Sequence, residues 1–259
     1  MSNVFSFQIG VYIIYTMLEA QGPGNAGILI NPDKADVDKY LKGGFQHATN
    51  TFLVQGQGKN VLIDTGFGTN LFNCLKEIGV APEKIDAIFL THMHGDHIGG
   101  MQKDGKALFP NAKVYLSEIE KEYWTVTNQN RGAIAALDAY KGRVETFKPG
   151  ALGNAPEVLV GITGIASYGH TPGHTSYSIK DGGKELIVWG DLMHVELIQF
   201  PVPSQAVTYD TDPKAATTAR LETLQYAAQT GTAIAGHHLL FPAIGTVSAA
   251  GDGYLFNHE

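Results

Sequence analysis

Short apolar runs alternate along the chain with stretches that carry helix signals. Nine runs are rich in Val, Ile, Tyr, Phe or Thr and are bounded by Gly, Pro or Asp, a pattern typical of strands. These predicted strands are residues 5–15, 50–56, 60–66, 84–92, 112–117, 157–169, 175–180, 185–191 and 232–237. Because strands outnumber helices, the pattern favours sheets with helices on their outer faces.

Helices are predicted between some of these runs. They cover residues 69–79, 117–127, 132–141 and 212–231. Ser117 and Glu120 have the spacing of a capping box, in which each side chain would cap the start of the second helix. Asp212 is the predicted N-cap of the last helix, with Pro213 in its first turn and Gly231 at its end.

Residues 16–49 show no sustained periodicity of hydrophobic positions. A loop of this length inside a compact domain is usually functional, for example as a lid or a pocket wall. A solvated insertion is the alternative interpretation. We therefore expect one domain over residues 1–259, with a possible pocket-covering segment at 16–49.

Composition and charge narrow the classes of partner. Of the 259 residues, 44% are hydrophobic and 17% are charged, which is ordinary globular composition. The net charge is −7 and no run of Lys or Arg occurs, so neither nucleic acid nor an anionic membrane is an expected partner. The expected partner is a small-molecule substrate, and a homodimer stays open.

The single cysteine, Cys74, excludes an intrachain disulfide and a cysteine-rich zinc module. The N-terminal residues lack a positively charged region before a long apolar run, and no stretch has the length of a transmembrane helix. These features predict a soluble cytoplasmic protein. A secreted form that has lost its signal peptide is the alternative.

Histidines concentrate in the segment "THMHGDHIGG" at residues 91–100. His92, His94, Asp96 and His97 follow a strand-like apolar run, and glycines after them permit a tight turn. At a strand end, side chains two residues apart share one face, so four ligand-type groups converge. Imidazole and carboxylate suit zinc, and also manganese or iron.

Further ligand candidates occur later in the chain. They are His170 and His174 in "YGHTPGHTSYS", Asp191 and His194 in "VWGDLMH", and His237 and His238 in "AGHHLLFP". Without a metal, the mutual desolvation of so many polar groups would be costly. A structural zinc site would close its coordination with cysteines, so this set indicates a catalytic centre with open positions.

These motifs, with "NVLIDTG" upstream, resemble the metallo-β-lactamase superfamily from about residue 50 to 245. The resemblance implies an α+β fold, a four-layer αβ/βα sandwich with two mixed sheets and helices on the outer faces. It implies one metal site of His92, His94 and His174, a second of Asp96, His97 and His238, and Asp191 as the bridge. His170 and His194 would then lie beside the metals, His238 is preferred to His237, and Asp64 would support the histidine segment.

The implied activity is that of a hydrolase with two divalent metal ions, for which zinc is the preferred element. Asp96 would orient a hydroxide that bridges the two ions. The segments "WGDLMHVELIQFP", "DTDPKAATTAR" and "HLLFPAIG" are similar to those of the methyl parathion hydrolase-like and lactonase-like branch. This branch implies an ester, lactone or phosphotriester substrate. Aromatic pocket candidates, each of which could equally be core, are Phe67, Trp124, Phe200 and Phe241. The rival function is a mononuclear iron oxygenase of the same superfamily that acts on a sulfur compound.

Overall fold

The computed structural model describes residues 2–259, which form sixteen strands and seven α-helices. The strands are β1 (Val4–Ile9), β2 (Tyr12–Pro23), β3 (Gln46–Gly56), β4 (Lys59–Ile63), β5 (Ala87–Phe89), β6 (Gln102–Lys103), β7 (Lys106–Ala107), β8 (Lys113–Ser117), β9 (Val144–Phe147), β10 (Glu157–Leu159), β11 (Ile162–Ala166), β12 (Thr175–Asp181), β13 (Lys184–Val188), β14 (Ala233–Ala235), β15 (Ile244–Ala250) and β16 (Gly253–His258).

The helices are α1 (Lys34–Tyr40), α2 (Leu71–Ile78), α3 (Gly95–Ile98), α4 (Glu118–Glu122), α5 (Arg131–Asp138), α6 (Glu196–Gln199) and α7 (Pro213–Thr230). The longest, α7, begins as predicted, because the Asp212 side chain accepts hydrogen bonds from the backbone of Lys214 and Ala215. Among residues 2–259, no helix is both long and apolar enough to cross a bilayer.

Two seven-stranded mixed sheets dominate the fold. The first has the order β1-β2-β3-β4-β5-β8-β9, antiparallel as far as β4 and parallel from β4 to β9. The second has the order β10-β11-β12-β13-β14-β15-β16 and is antiparallel except for the β13–β14 pair. This arrangement of sheets and helices confirms the predicted α+β sandwich.

Alternate side chains of the central strands enter different cores. Along β3, Phe52 and Val54 join the core that includes Tyr177 and Trp189 of the second sheet, whereas Leu53 joins a core with residues of α2 and α5. Successive strand residues point to opposite faces, so a strand that is apolar throughout is buried on both sides. The layers helix, sheet and sheet follow from this pattern.

Glycine turns divide two of the predicted strands. The run 5–15 is a hairpin in which Ile9 pairs with Tyr12 across Gly10, whose φ is 55°. The run 157–169 is likewise split at Gly161, where φ is 72°. A positive φ costs little at glycine, which explains both turns. The C-terminal hairpin of β15 and β16 was not predicted.

The segment 16–49 is largely ordered structure rather than a loop. Its ends extend β2 and β3, and its middle contains a 3-10 turn and α1. An apolar cluster packs this middle part on the α6 region; its buried members are Ile28, Leu29, Leu41, Phe45, Val195, Ile198 and Val207. Backbone bonds from Ile30 N to Ala206 O (3.0 Å) and from Thr208 N to Ile28 O (2.7 Å) tie the two segments together.

Candidate metal centre

The candidate site lies where strands of both sheets end. In the first sheet, Asp64 follows β4, and the segment 91–97 follows its parallel neighbour β5. In the second sheet, Asp191 follows β13, and His238 follows its parallel neighbour β14. Parallel neighbours end at the same edge of a sheet, and ligands of α/β sheets bind at such edges.

One group of side chains consists of His92, His94, His170 and Asp191. One potential ligand atom from each lies within 4.8 Å of the others. His94 Nδ1 is 2.9 Å from both His92 Nε2 and His170 Nε2. Around a tetrahedral zinc ion with Zn–N distances of about 2.0–2.1 Å, two ligand nitrogens lie roughly 3.3 Å apart. The 2.9 Å distances between these ring nitrogens are therefore close to those of a metal site.

The structure places His174 outside this group, although the resemblance implied it as a ligand. His170 takes the place expected of His174, whose Nε2 accepts a hydrogen bond from Asp191 N at 3.0 Å. The other ring nitrogen, Nδ1, lies 2.9 Å from Ser167 Oγ. His174 therefore supports Asp191 from outside the group. The motif "GHTPGHT" contains two histidines, and its spacing alone did not indicate which ring points inward.

A second group combines Asp96, His97 and His238, the residues expected at the second metal site. His238 Nε2 is 3.5 Å from Asp96 Oδ2, and His97 Nε2 is 3.8 Å from the same oxygen. Asp191 lies between the two groups, with Oδ1 3.1 Å from His97 Nε2 and Oδ2 3.1 Å from His238 Nε2. Its position fits the predicted bridging role.

Asp64 fixes the histidine segment from behind, as expected. Its carboxylate accepts hydrogen bonds from Thr91 N (2.8 Å) and Thr91 Oγ1 (2.6 Å) and lies 2.7 Å from His97 Nδ1. Because an ionised carboxylate only accepts, His97 carries its proton on Nδ1 and turns Nε2 toward the site. Thr91 Oγ1, in turn, lies 3.0 Å from His92 Nδ1.

Two further rings are oriented in the same way. His170 Nδ1 lies 3.0 Å from Asp210 Oδ1, and His238 Nδ1 lies 3.0 Å from the Ala48 carbonyl oxygen. Both partners accept, so each imidazole binds them through Nδ1 and turns Nε2 toward the site. Asp210 was not identified from the sequence, because no motif links "YDTDPK" to His170.

The glycines after His97 serve close packing. Gly99 and Gly100 follow α3, and a Cβ at Gly100 would lie 2.5 Å from Thr65 O. At Gly99 it would lie 2.8 Å from Phe67 O. Glycine at both positions lets α3 lie directly against the backbone after β4, which brings the histidine segment next to Asp64.

The electrostatics of the site fit bound cations. Nitrogens of five imidazoles lie within 3.6 Å of the Asp191 carboxylate, namely those of His92, His97, His170, His194 and His238. Burial opposes ionisation of Asp191, but His238 and His97 hold its pKa well below the ordinary value. Within residues 2–259, the buried atoms His97 Nε2 and Asp191 Oδ1 lie 3.1 Å apart, yet neither makes a hydrogen bond of acceptable geometry. Buried polar atoms are normally paired, and a shared cation would satisfy both.

A cavity of about 460 Å³ opens onto both groups. Its lining consists of His47, Thr49, Phe67, His94, Gly95, Asp96, His170, Asp191, His194, Tyr209 and His238. Phe67 and Tyr209 are about half exposed at its rim. Of the four aromatic pocket candidates, only Phe67 lines this cavity; Trp124 and Phe200 are buried.

Three further histidines lie near the two groups: His237 outside the cavity, and His194 and His47 in its lining. His237 points away from the cavity, with Nε2 2.9 Å from Asp64 Oδ2, which fits the preference for His238. His194, expected to lie beside the metals, lines the cavity with Nε2 3.2 Å from Asp191 Oδ2. His47 stacks on His238 with ring centroids 4.7 Å apart. Burial and His238 lower the pKa of His47 to about 4, so this ring is neutral at pH 7.

Comparison with known proteins identifies the family to which the chain is similar. The protein-family sequence model described as "Metallo-beta-lactamase superfamily" matches residues 44–238. The crystal structure of the hydrolase AbOPH in the beta lactamase superfamily matches with a TM-score of 0.90 and 31% identity, covering 100% of this chain and 98% of that one. AidC, a dizinc quorum-quenching lactonase, has a TM-score of 0.88 at 24% identity, with 99% and 97% covered. At that identity, AidC supports the fold alone.

Curated relatives match over shorter segments. The uncharacterized protein YobT of Bacillus subtilis (strain 168) is 28% identical over 145 residues, which are 55% of this chain and 60% of that protein. The exodeoxyribonuclease WalJ of Streptococcus pneumoniae is 31% identical over 103 residues, 38% of this chain and 37% of that protein. The chain therefore spans less than two thirds of the length of these relatives.

Proposed function

This chain belongs to the metallo-beta-lactamase superfamily, and we propose that it is a binuclear metal-dependent hydrolase of neutral esters, lactones or phosphotriesters. Zinc is the proposed ion, with manganese and iron as substitutes. The proposal rests chiefly on one observation: two groups of histidine and aspartate side chains meet at Asp191, which lines a single cavity.

The proposed ligands divide between two ions. His92, His94 and His170 would hold the first, and Asp96, His97 and His238 the second, with Asp191 shared. When bound, two such ions supply a water of lowered pKa and polarise the oxygen of the bond to be cleaved. His194 also faces Asp191 and lines the cavity.

The protein's own groups prepare the site for hydrolysis. Asp96 is about a quarter exposed, at the start of α3. Burial alone would raise the pKa of Asp96, but His97 and His238 lower it, so the carboxylate is ionised at neutral pH. An ionised carboxylate at the cavity surface accepts a hydrogen bond from a water and orients it toward the substrate. The buried neighbours, including Asp64 and Asp210, hold their histidines in one tautomer throughout.

The cavity lining favours a neutral substrate. Neither Lys nor Arg occurs among the lining residues, whereas two carboxylates do. An anionic substrate would therefore meet no fixed cation other than the metals, and the net charge of −7 further disfavours a nucleic acid. Phe67 and Tyr209 at the rim offer aromatic surface for an apolar acyl or leaving group.

A substrate panel tests the proposal. Chelator-stripped protein is reloaded with zinc, manganese or iron and assayed on lactones, aryl esters and phosphotriesters. We expect metal-dependent hydrolysis of at least one neutral class, and loss of that activity in Asp191→Ala, which removes the shared ligand. Hydrolysis of none of these classes at any loading refutes the substrate proposal. Oxygen uptake on a persulfide with one iron per chain would favour the oxygenase instead.

A further inference from the structure

Glu120 is a fully buried carboxylate that accepts four hydrogen bonds. Oε1 accepts from Trp124 Nε1 at 2.6 Å and from Met93 N at 3.1 Å. Oε2 accepts from Thr171 Oγ1 at 2.7 Å and from Gly173 N at 3.0 Å. Two donors for each oxygen compensate much of the cost of burying a charge.

Three of the four donors belong to loops that approach from different sheets, and the fourth, Trp124, directly follows α4. Met93 lies between His92 and His94, after β5 of the first sheet. Thr171 and Gly173 lie immediately after His170, before β12 of the second sheet. One side chain therefore bonds to both loops that carry the first histidine group.

The backbone at Gly173 is adapted to this contact. A Cβ on Gly173 would lie 2.2 Å from Glu120 N and 2.6 Å from Glu120 Cα, which is a steric clash with backbone. Glycine at this position lets the His170 loop lie directly on α4. The contact is therefore a close backbone approach as well as a set of hydrogen bonds.

The geometry differs from the predicted capping box. Ser117 caps α4 by accepting from Ile119 N at 3.3 Å, as an N-cap residue should. Glu120 instead turns its carboxylate inward, where the four donors occupy both oxygens. The side chain thus contributes to the site rather than to the start of its own helix.

We propose that Glu120 is a positioning residue, which fixes the His92–His94 loop relative to the His170 loop and so preorganises the first metal group. This inference rests on the proposed function, because it concerns ligands of the same centre. Only a carboxylate fits the role fully, since all four neighbours donate. In Glu120→Gln, one amide oxygen can still accept, but the amide NH₂ faces two donors.

Metal binding in Glu120→Gln tests the proposal. Chelator competition measures the two dissociation constants of each variant. By analogy with other side chains that orient metal ligands, one constant should weaken about 10–100-fold and the other should change less than about twofold. Thr171→Val removes a single donor and should weaken the same constant by about tenfold. It serves as the second variant if Glu120→Gln does not fold.

Two controls separate positioning from general destabilisation. Ser117→Ala removes the N-cap of the same helix, and Leu75→Ala opens a cavity in the buried core beside α2, at a residue that does not line the candidate site's cavity. Both should lower the melting temperature and leave both metal constants within about twofold of the wild type. Unchanged constants in Glu120→Gln, or equal weakening of both, would overturn the proposal.

A metal-free measurement keeps this inference distinct from the proposed function. In Glu120→Gln the side-chain NH₂ faces the donors of one former carboxylate oxygen, so either Met93 N or Gly173 N loses its acceptor. Amide hydrogen exchange at that one position should be at least about tenfold faster than in the wild type. If the wild type binds no metal, the proposed function fails, and unchanged exchange at these amides would then overturn the positioning role too.

Discussion

Separate replacement of His170 and of His174 by Ala distinguishes a ring that points into the metal group from a ring that supports it. His170→Ala removes one of the three imidazoles of the first group. In that group, His94 Nδ1 lies 2.9 Å from His92 Nε2 and 2.9 Å from His170 Nε2. His174→Ala instead removes the acceptor of the Asp191 backbone amide. The two histidines are both buried, so simple exposure does not separate them.

The structure sets different magnitudes for the two changes. Loss of His170 leaves the first group with two imidazoles and a shared carboxylate, fewer protein ligands than a dedicated zinc site uses. We expect its metal affinity to fall more than about 100-fold. Loss of His174 leaves the ligands in place but frees Asp191, and changes of that kind cost about 10–100-fold, or about 1.4–2.8 kcal/mol.

Metal content after dialysis against a weak chelator is the assay. His170→Ala should retain about one equivalent per chain, and His174→Ala should retain two with weaker binding of both. Circular dichroism and thermal melting of the metal-free proteins control for unfolding. The reverse order, with His174→Ala losing one ion and His170→Ala keeping both, would refute the geometric assignment.

Three further outcomes follow from buried groups. Arg220→Ala should lower the free energy of unfolding by about 2–4 kcal/mol in urea, because the carbonyls of Leu192 and Pro203 lose their buried donor; a loss below about 1 kcal/mol would contradict this. Burial raises the pKa of Cys74 to about 11, so roughly one thiol in a thousand is ionised at pH 8; rapid labelling of native protein by a thiol reagent would contradict this. Burial lowers the pKa of His170, but Asp191 and Asp210 raise it to about 9, so the ring must lose a proton to bind metal. Metal affinity should therefore rise from pH 6 to 9, and calorimetry should detect proton release on binding. A metal affinity that does not change with pH would contradict this.

The sequence predicted the fold, and it predicted that most of the candidate ligands would lie close together, because both depend on local patterns. Apolar runs identified the central strands, and the spacing of His92, His94, Asp96 and His97 after such a run indicated convergent ligands. The resemblance supplied the order of the remaining motifs. Asp191 and His238 lie at strand ends, where a strand pattern already limits the direction of the side chain.

The structure differs from the expectations where contacts with distant segments determine the geometry. The choice between His170 and His174 depends on the contact with Asp210, forty residues away from His170. Glu120 had the spacing of a capping box, yet donors from two other loops determine its orientation. The segment 16–49 lacks a period because its short elements pack on the α6 region, a partner that local pattern does not reveal.

Hydrolysis measured during metal titration tests the central claim most directly. Chelator-stripped protein receives increasing equivalents of zinc, and the initial rate on a neutral lactone or aryl ester is followed at each step. The account predicts no activity without metal and a rate that rises until two equivalents per chain have been added. Absence of hydrolysis at every loading, or a maximum at one equivalent, would contradict a binuclear hydrolase.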